Sequence, residues 1–103
     1  MTNFNELSSS FQEICTLFSK DASYELAEDG NTLKVFINYS TQVGEIKKNY
    51  STQVGEIEKK KDNTYSVSDL LVGKTNFHSC IPTLIAELHE LTEQYYYYNS
   101  NTI

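Results

Sequence analysis

Arginine and tryptophan are absent from this 103-residue chain, which contains a single proline, two cysteines and four glycines. The net charge is −6, and the only dense group of cations is the lysine triplet at 59–61. A protein that binds phosphate backbones needs a basic face. The composition therefore argues against nucleic acid as a partner. It favours contact with another protein, one with a basic surface, and leaves a homodimer as a further option.

The chain also lacks long hydrophobic runs, and its first residues are not expected to be an export signal. Its first residues, MTNFNELSSSF, have neither a basic start nor a continuous apolar stretch, and no later segment approaches the length of a membrane span. Cys15 and Cys80 fall on different predicted helices, and we expect two free thiols. These features predict a cytoplasmic protein that does not enter a membrane.

Helical periodicity is present near both ends of the chain. Apolar residues recur at steps of three and four in two groups: Phe4, Leu7, Phe11, Ile14, Phe18, and Ile81, Leu84, Leu88, Leu91, Tyr95. Ser79 is the predicted N-cap of the second helix, and Pro82 is tolerated in its first turn. Residues 96–103 are expected to form a tail.

The segment between the helices has the alternation of β-strands. Asp29-Gly30 predicts a tight turn that sets Leu26 opposite Leu33 and Glu25 opposite Lys34. A further strand is predicted within residues 63–72.

A tandem duplication interrupts this region, because NYSTQVGEI occupies residues 38–46 and again 49–57, eleven positions later. Eleven is odd, so one continuous strand would turn Val43 and Val54 to opposite faces. A hairpin turning near residues 47–49 removes the conflict by placing the two copies side by side, with Val43, Tyr50 and Val54 on the buried face.

Two alternatives to the hairpin stay open. Eleven residues are almost three helical turns, so the repeat also suits a helix, although Gly44 and Gly55 would each cost about 1 kcal/mol. A disordered loop is the other alternative.

The predicted fold is a single α+β domain over residues 1–103. It has an N-terminal helix, a four-stranded antiparallel meander and a C-terminal helix, with both helices packed on one sheet face. The duplication at 38–57 forms an extended hairpin within it. The candidate interface combines apolar residues expected on the opposite sheet face with tyrosines of the tail: Phe36, Ile46, Ile57, Leu70, Tyr96, Tyr97 and Tyr98.

Motifs for chemistry are incomplete. Gly73-Lys74-Thr75 resembles the end of a phosphate-binding loop, but Ser68 stands where that loop needs a glycine. Cys80 at a helix start next to His78 lacks a third, orienting group. His89 and Glu93 share a helix face, but they are two ligands where a catalytic zinc takes three. We therefore predict no catalytic residues, no cofactor and no metal.

The sequence accordingly predicts a small, acidic, non-enzymatic protein-interaction module, such as an adaptor, a chaperone-like subunit or an inhibitor of the immunity type. The alternative is a small-ligand-sensing domain with a pocket between helices and sheet, lined by Tyr24, Tyr39 and Tyr65. An enzyme using Cys80, His78 or His89 is a third possibility.

Overall fold

The computed structural model describes residues 4–18 and 22–101. Its elements are a 3₁₀ turn at Phe4–Glu6, α1 (Ser9–Phe18), β1 (Ala22–Leu26), β2 (Thr32–Val43), β3 (Ile46–Lys59), β4 (Tyr65–Asp69), β5 (Lys74–His78) and α2 (Ile81–Asn101). The strands form one antiparallel sheet in the order β1-β2-β3-β4-β5, so each strand pairs with the next along the chain. The α+β class and the meander are confirmed.

The sheet has five strands, and the predicted number of four is wrong. The missing strand is β5, in a stretch that the sequence suggested was a connection to the second helix. Two features turn the chain back from β4 into β5: Gly73 adopts a φ of +71°, and the Asp69 carboxylate accepts hydrogen bonds from the N–H groups of Leu71 and Val72 at 2.8 and 3.4 Å. Asx turns of this kind set up a tight reversal.

Both helices pack on the same face of the sheet, as predicted. The buried apolar residues form one cluster: Leu7, Phe11, Ile14 and Phe18 from the N-terminal segment, Leu33, Val35, Ile37, Val54, Ile57, Tyr65 and Val67 from the strands, and Leu84, Leu88 and Leu91 from α2. Burying each large side chain contributes about 1.5–3 kcal/mol. The cluster is therefore the main source of stability.

The helix starts differ from each other in their caps. Ser8 caps α1, with its Oγ accepting the Phe11 N–H at 3.3 Å. At α2 the predicted cap, Ser79, is wrong by one position, since the Cys80 carbonyl accepts the Leu84 N–H at 3.4 Å. The helix continues to Asn101, through most of the stretch expected to be a tail.

The first hairpin has the predicted register. Leu26 pairs with Leu33, and Glu25 pairs with Lys34. The Asp29 carboxylate accepts the Asn31 N–H at 2.8 Å, and this bond is the main reason that the pKa of Asp29 lies below its ordinary value. The turn is thus held by a charge-assisted hydrogen bond as well as by Gly30.

The two copies of the repeat lie on neighbouring antiparallel strands, so the hairpin prediction is confirmed and the helix alternative is wrong. The turn, however, falls at Gly44-Glu45, with Val43 opposite Ile46, rather than at residues 47–49. Gly44 has a φ of +63°. A glycine with positive φ at the first position of a two-residue loop is typical of a type II′ hairpin, whose twist matches that of the strands.

A bulge changes which side of β3 faces the helices. Val35 pairs with Gly55 while Phe36 pairs with Gln53, which leaves Val54 as the extra residue on β3. One extra residue shifts the alternation by one, so Val54 and Ile57 both point into the core. The prediction that Ile57 lies on the opposite sheet face is wrong for this reason.

Candidate protein-interaction site

The β2–β3 hairpin extends beyond the rest of the sheet as a two-stranded arm, here defined as residues 38–53. β1 pairs with β2 only as far as Ile37, and β4 pairs with β3 only from Gly55. The described chain measures 50 × 28 × 22 Å. β3 accounts for most of the long dimension, because a strand rises about 3.3 Å per residue.

One face of the arm continues the face that carries the core. Ile37 is buried beneath the helices, and Val43, six residues further on the same strand, lies on the same side. Val43 is 78% exposed, its partner Ile46 is 65% exposed and Tyr50 is 42% exposed. Together with Lys48 they line a shallow cavity of about 260 Å³. We call this surface the core-side face of the arm.

The opposite face of the arm is polar. It carries amide and hydroxyl side chains, and a second concavity of about 350 Å³ is lined by Asn38, Ser40, Asn49, Tyr50 and Ser51. Asn38 and Asn49 are the same position of the repeat, as are Ser40 and Ser51. The arm is therefore amphipathic, with its apolar side chains on the core-side face.

The structure separates the residues that were predicted to form an interface. Phe36 is half-buried on the sheet face away from the helices, and Ile57 is fully buried in the core. Ile46 is exposed, but on the core-side face at the tip of the arm. Leu70 is 48% exposed in the turn between β4 and β5. Tyr96, Tyr97 and Tyr98 belong to α2, and their side chains lie outside the described part of the chain.

Several exposed apolar residues were missed from the sequence, among them Val43, Tyr50 and Phe77. Val43 and Tyr50 were assigned to the buried face, because period-2 alternation identifies the face of a strand but not the point where the helices stop covering it. Phe77, 66% exposed, lies on the unpredicted strand β5. The signal in the sequence for the tip of the arm was Gly44 followed by Glu45, because glycine readily adopts the positive φ that the first position of a two-residue hairpin loop requires.

A polar cluster joins β5 to the start of α2. His78 Nε2 lies 3.0 Å from Glu87 Oε2, and His78 Nδ1 lies 3.2 Å from Thr83 Oγ1. Asn76 donates to the other Glu87 oxygen. Glu87 is the orienting partner of His78 that the sequence did not reveal, since β5 had not been recognised.

The Cys80 thiol touches this cluster only through Thr83, whose Oγ1 lies 3.4 Å from the sulfur. Hydrogen bonds from the Thr83 hydroxyl and then the Thr83 N–H lower the pKa of Cys80. Among the described residues, Thr83 is a hydrogen-bond partner that the His78 ring and the Cys80 thiol share. The hydrogen bonds of Asn76 and His78 to Thr83 and Glu87 hold β5 against the start of α2.

A cavity of about 380 Å³ lies between the β4–β5 hairpin and α2. It is lined by Asp69, Val72, Lys74, Asn76, Glu87, Glu90, Leu91 and Gln94. The lining is mostly polar and charged, unlike the tyrosine-lined pocket that the sequence suggested. Tyr65 is instead buried in the core, and the buried Tyr24 hydroxyl has no hydrogen-bond partner among the residues described.

His89, the remaining position that the sequence suggested for chemistry, packs against an aromatic residue of α1. The His89 ring packs against Phe18, with ring centroids 5.2 Å apart. Within residues 4–18 and 22–101, no three His, Cys, Asp or Glu side chains form a group that could hold a metal ion. Over the same ranges, neither helix is long and apolar enough to cross a membrane.

Fold and site together define a small α+β protein with a projecting, amphipathic hairpin arm. Comparison of the chain with protein-family models, curated proteins and solved structures finds no significant match.

Proposed function

We propose that the protein is a non-enzymatic interaction module that binds another protein through the core-side face of its arm. The observation that carries this proposal is the concentration of exposed apolar side chains, Val43, Ile46 and Tyr50, on one face of the arm. Adaptors, chaperone-like subunits and inhibitors of the immunity type all work by contact of this kind.

Two physical arguments support the arm as the contact surface. A two-stranded hairpin is marginally stable in water unless its apolar face packs against something, and Val43, Ile46 and Tyr50 on the apolar face of this one are exposed. Large apolar side chains at the centre of an interface supply most of its binding energy, and tyrosine is among the residues most often found there. Binding a partner would bury Ile46 and Tyr50.

The test compares two double variants of the arm. Ile46→Ser with Tyr50→Ser removes the apolar side chains of the core-side face, while Gln42→Ser with Asn49→Ser changes the opposite, polar face. Proteins retained by the immobilised wild type from a lysate of the source cell would be identified and purified. The dissociation constant of each would then be measured with the three forms.

We expect the core-side variant to bind at least about tenfold more weakly and the polar-face variant to bind like the wild type. Circular dichroism and unfolding should be unchanged for both, because exposed substitutions alter stability little. Equal affinity of the two variants for every purified partner, or no protein that binds the purified wild type directly, would contradict the proposal.

A small-ligand-sensing domain is the second candidate, and the cavity of about 380 Å³ beside α2 is the observation that favours it. Its charged lining suits a polar ligand. Thermal unfolding in the presence of a panel of polar metabolites tests it. A rise in melting temperature that is lost in Lys74→Ala and Glu90→Ala supports this function, and the absence of any shift rejects it.

A further inference from the structure

The side of β3 that faces away from β2 is open along the arm. At the base of this side the Leu70 N–H donates a hydrogen bond to the Val54 carbonyl at 3.1 Å, and the chain then turns towards β5. Among the described residues, no strand pairs with this side of residues 46–53. An eight-residue edge of about 26 Å is therefore available.

The two-residue turn determines which backbone groups point outwards. The pair flanking such a loop, Val43 and Ile46, exchanges hydrogen bonds, and bonded pairs then alternate along the ladder. The N–H and C=O groups of Lys47, Asn49 and Ser51 consequently face the open side. Unpaired strand groups of this kind are a template for another strand.

The side chains beside this edge indicate what kind of strand fits. Ile46 and Tyr50 present apolar surface on the core-side face, and the exposed turn at residues 70–72 adds apolar surface at the base of the edge. Lys47 and Lys48 project on opposite faces of β3, and Glu45, in the turn, is the only acidic residue of the arm. The local charge of the arm is thus opposite in sign to the net charge of −6.

This charge distribution disfavours a second copy of the chain as the occupant. Two paired β3 edges would hold four lysines and no acidic residue within residues 46–53 of the two copies, and like charges that lie opposite each other destabilise a strand pair. Lysine on an edge strand is a common device against self-association. An acidic strand, in contrast, is attracted by the same two side chains.

We infer that the arm recognises its partner by β-strand addition. An extended segment of another protein, alternating in its side chains and carrying acidic residues next to Lys47 and Lys48, pairs with the open edge of β3 and places its apolar side chains against Ile46 and Tyr50. This inference rests on the proposed function and specifies how the arm binds. Backbone hydrogen bonds supply affinity, and the alternating side chains supply selectivity.

The experiment uses a display library of short random peptides selected on the purified full-length protein. We expect the enriched sequences to alternate apolar with acidic or polar residues. The best peptide, synthesised, is then titrated against wild type, Asn49→Pro, Asn49→Thr and the double charge reversal Lys47→Glu with Lys48→Glu. Asn49→Pro removes an outward N–H without removing a β2–β3 bond, and Asn49→Thr is its matched control.

Affinity should fall at least about tenfold for Asn49→Pro and for the charge reversal, and stay near the wild-type value for Asn49→Thr. Circular dichroism of Asn49→Pro checks that the hairpin persists in this variant. If the hairpin is lost, the charge-reversal variant still tests the inference, because it leaves the backbone of β3 unchanged. Enrichment of basic peptides, failure to enrich any, or a dimer of the wild type that Asn49→Pro abolishes would overturn the inference.

The outcomes also separate this inference from the proposed function. If Ile46→Ser with Tyr50→Ser weakens binding of the cellular partner while Asn49→Pro and the charge reversal do not, strand addition is wrong and the arm remains the contact surface. If none of these variants weakens binding, both proposals fail.

Discussion

At the scale of single residues, the two thiols show how position determines reactivity. Cys80 is exposed at the start of α2 and accepts hydrogen bonds from Thr83, which lower its pKa. Cys15 lies on α1 beside the core, where burial raises its pKa to about 11. The thiolate is the reactive form, so the two residues should differ in their alkylation rates near neutral pH.

We expect Cys80 to be alkylated faster than Cys15, because its rate, which increases with pH as the thiolate forms, should begin to increase at a lower pH. Replacing Thr83 with Val removes the hydroxyl hydrogen bond, so the pKa of Cys80 should rise and its pH–rate curve should move to higher pH. The measurement is the iodoacetamide rate against pH in a Cys15→Ser background. Thr92→Val, which changes a hydroxyl elsewhere on α2, is the control; coincident curves for the two variants would refute the expectation.

At the scale of elements, the repeat gives the same nine residues two different structures. Gly44 occupies a turn with positive φ, while Gly55 lies within β3, where a Cβ would approach the Ser68 carbonyl oxygen to 3.0 Å. Val43 is 78% exposed and Val54 is 1% exposed. The difference arises because the first copy contains the tip of the arm and the second reaches back over the core.

Ile46 and Ile57 occupy the same position of the two copies, so their substitution compares the stability contribution of an exposed and a buried side chain. Ile57→Ala leaves a cavity in the core and should lower the free energy of unfolding by about 2–5 kcal/mol. Ile46→Ala changes a side chain that is 65% exposed and should alter it by less than about 0.5 kcal/mol. Urea denaturation followed by circular dichroism measures both. Similar losses for the two variants would show that the arm is buried in solution.

At the scale of the whole molecule, the body carries the core and the arm carries the exposed apolar face. Among the residues whose burial the structure describes, all fourteen buried apolar residues of the core lie outside residues 38–53. The body therefore has the contacts of a complete small domain without the arm, and the arm is an extension of two of its strands.

Deleting residues 39–49 tests this division. The deletion removes one repeat unit and leaves Asn38 joined to Tyr50, so Ile37 can still pair with Thr52 across a three-residue loop. We expect a folded protein whose free energy of unfolding changes by only about 1 kcal/mol, since shortening a loop has a small entropic effect. Its binding of the cellular partner should be lost. An unfolded deletion variant would show that the arm contributes to the core.

Local signals in the sequence were sufficient for several elements. The spacing of Phe11, Ile14 and Phe18 identified α1, and Asp29-Gly30 identified the first hairpin with its register, because both depend on neighbouring residues. The odd spacing of the repeat was sufficient to favour adjacent strands over one continuous strand.

Other features depended on residues distant in the chain. The bulge at Val54 shifts the pairing of β3 with β2 by one residue, and this shift turns the Ile57 side chain into the core. β5 depended on the Asp69 turn and on packing against α2, neither of which leaves a strong periodic pattern in five residues.

The sequence by itself determined the α+β class, the helices, the first hairpin and the pairing of the duplicated strands, since these follow from periodicity and turn chemistry within short segments. Only the tertiary structure decided where the helices stop covering the sheet, and hence that Val43, Ile46 and Tyr50 are exposed while Val54 and Ile57 are buried. Identical residues separate in this way because burial depends on what packs against a strand, and the alternation along the strand carries no information about that.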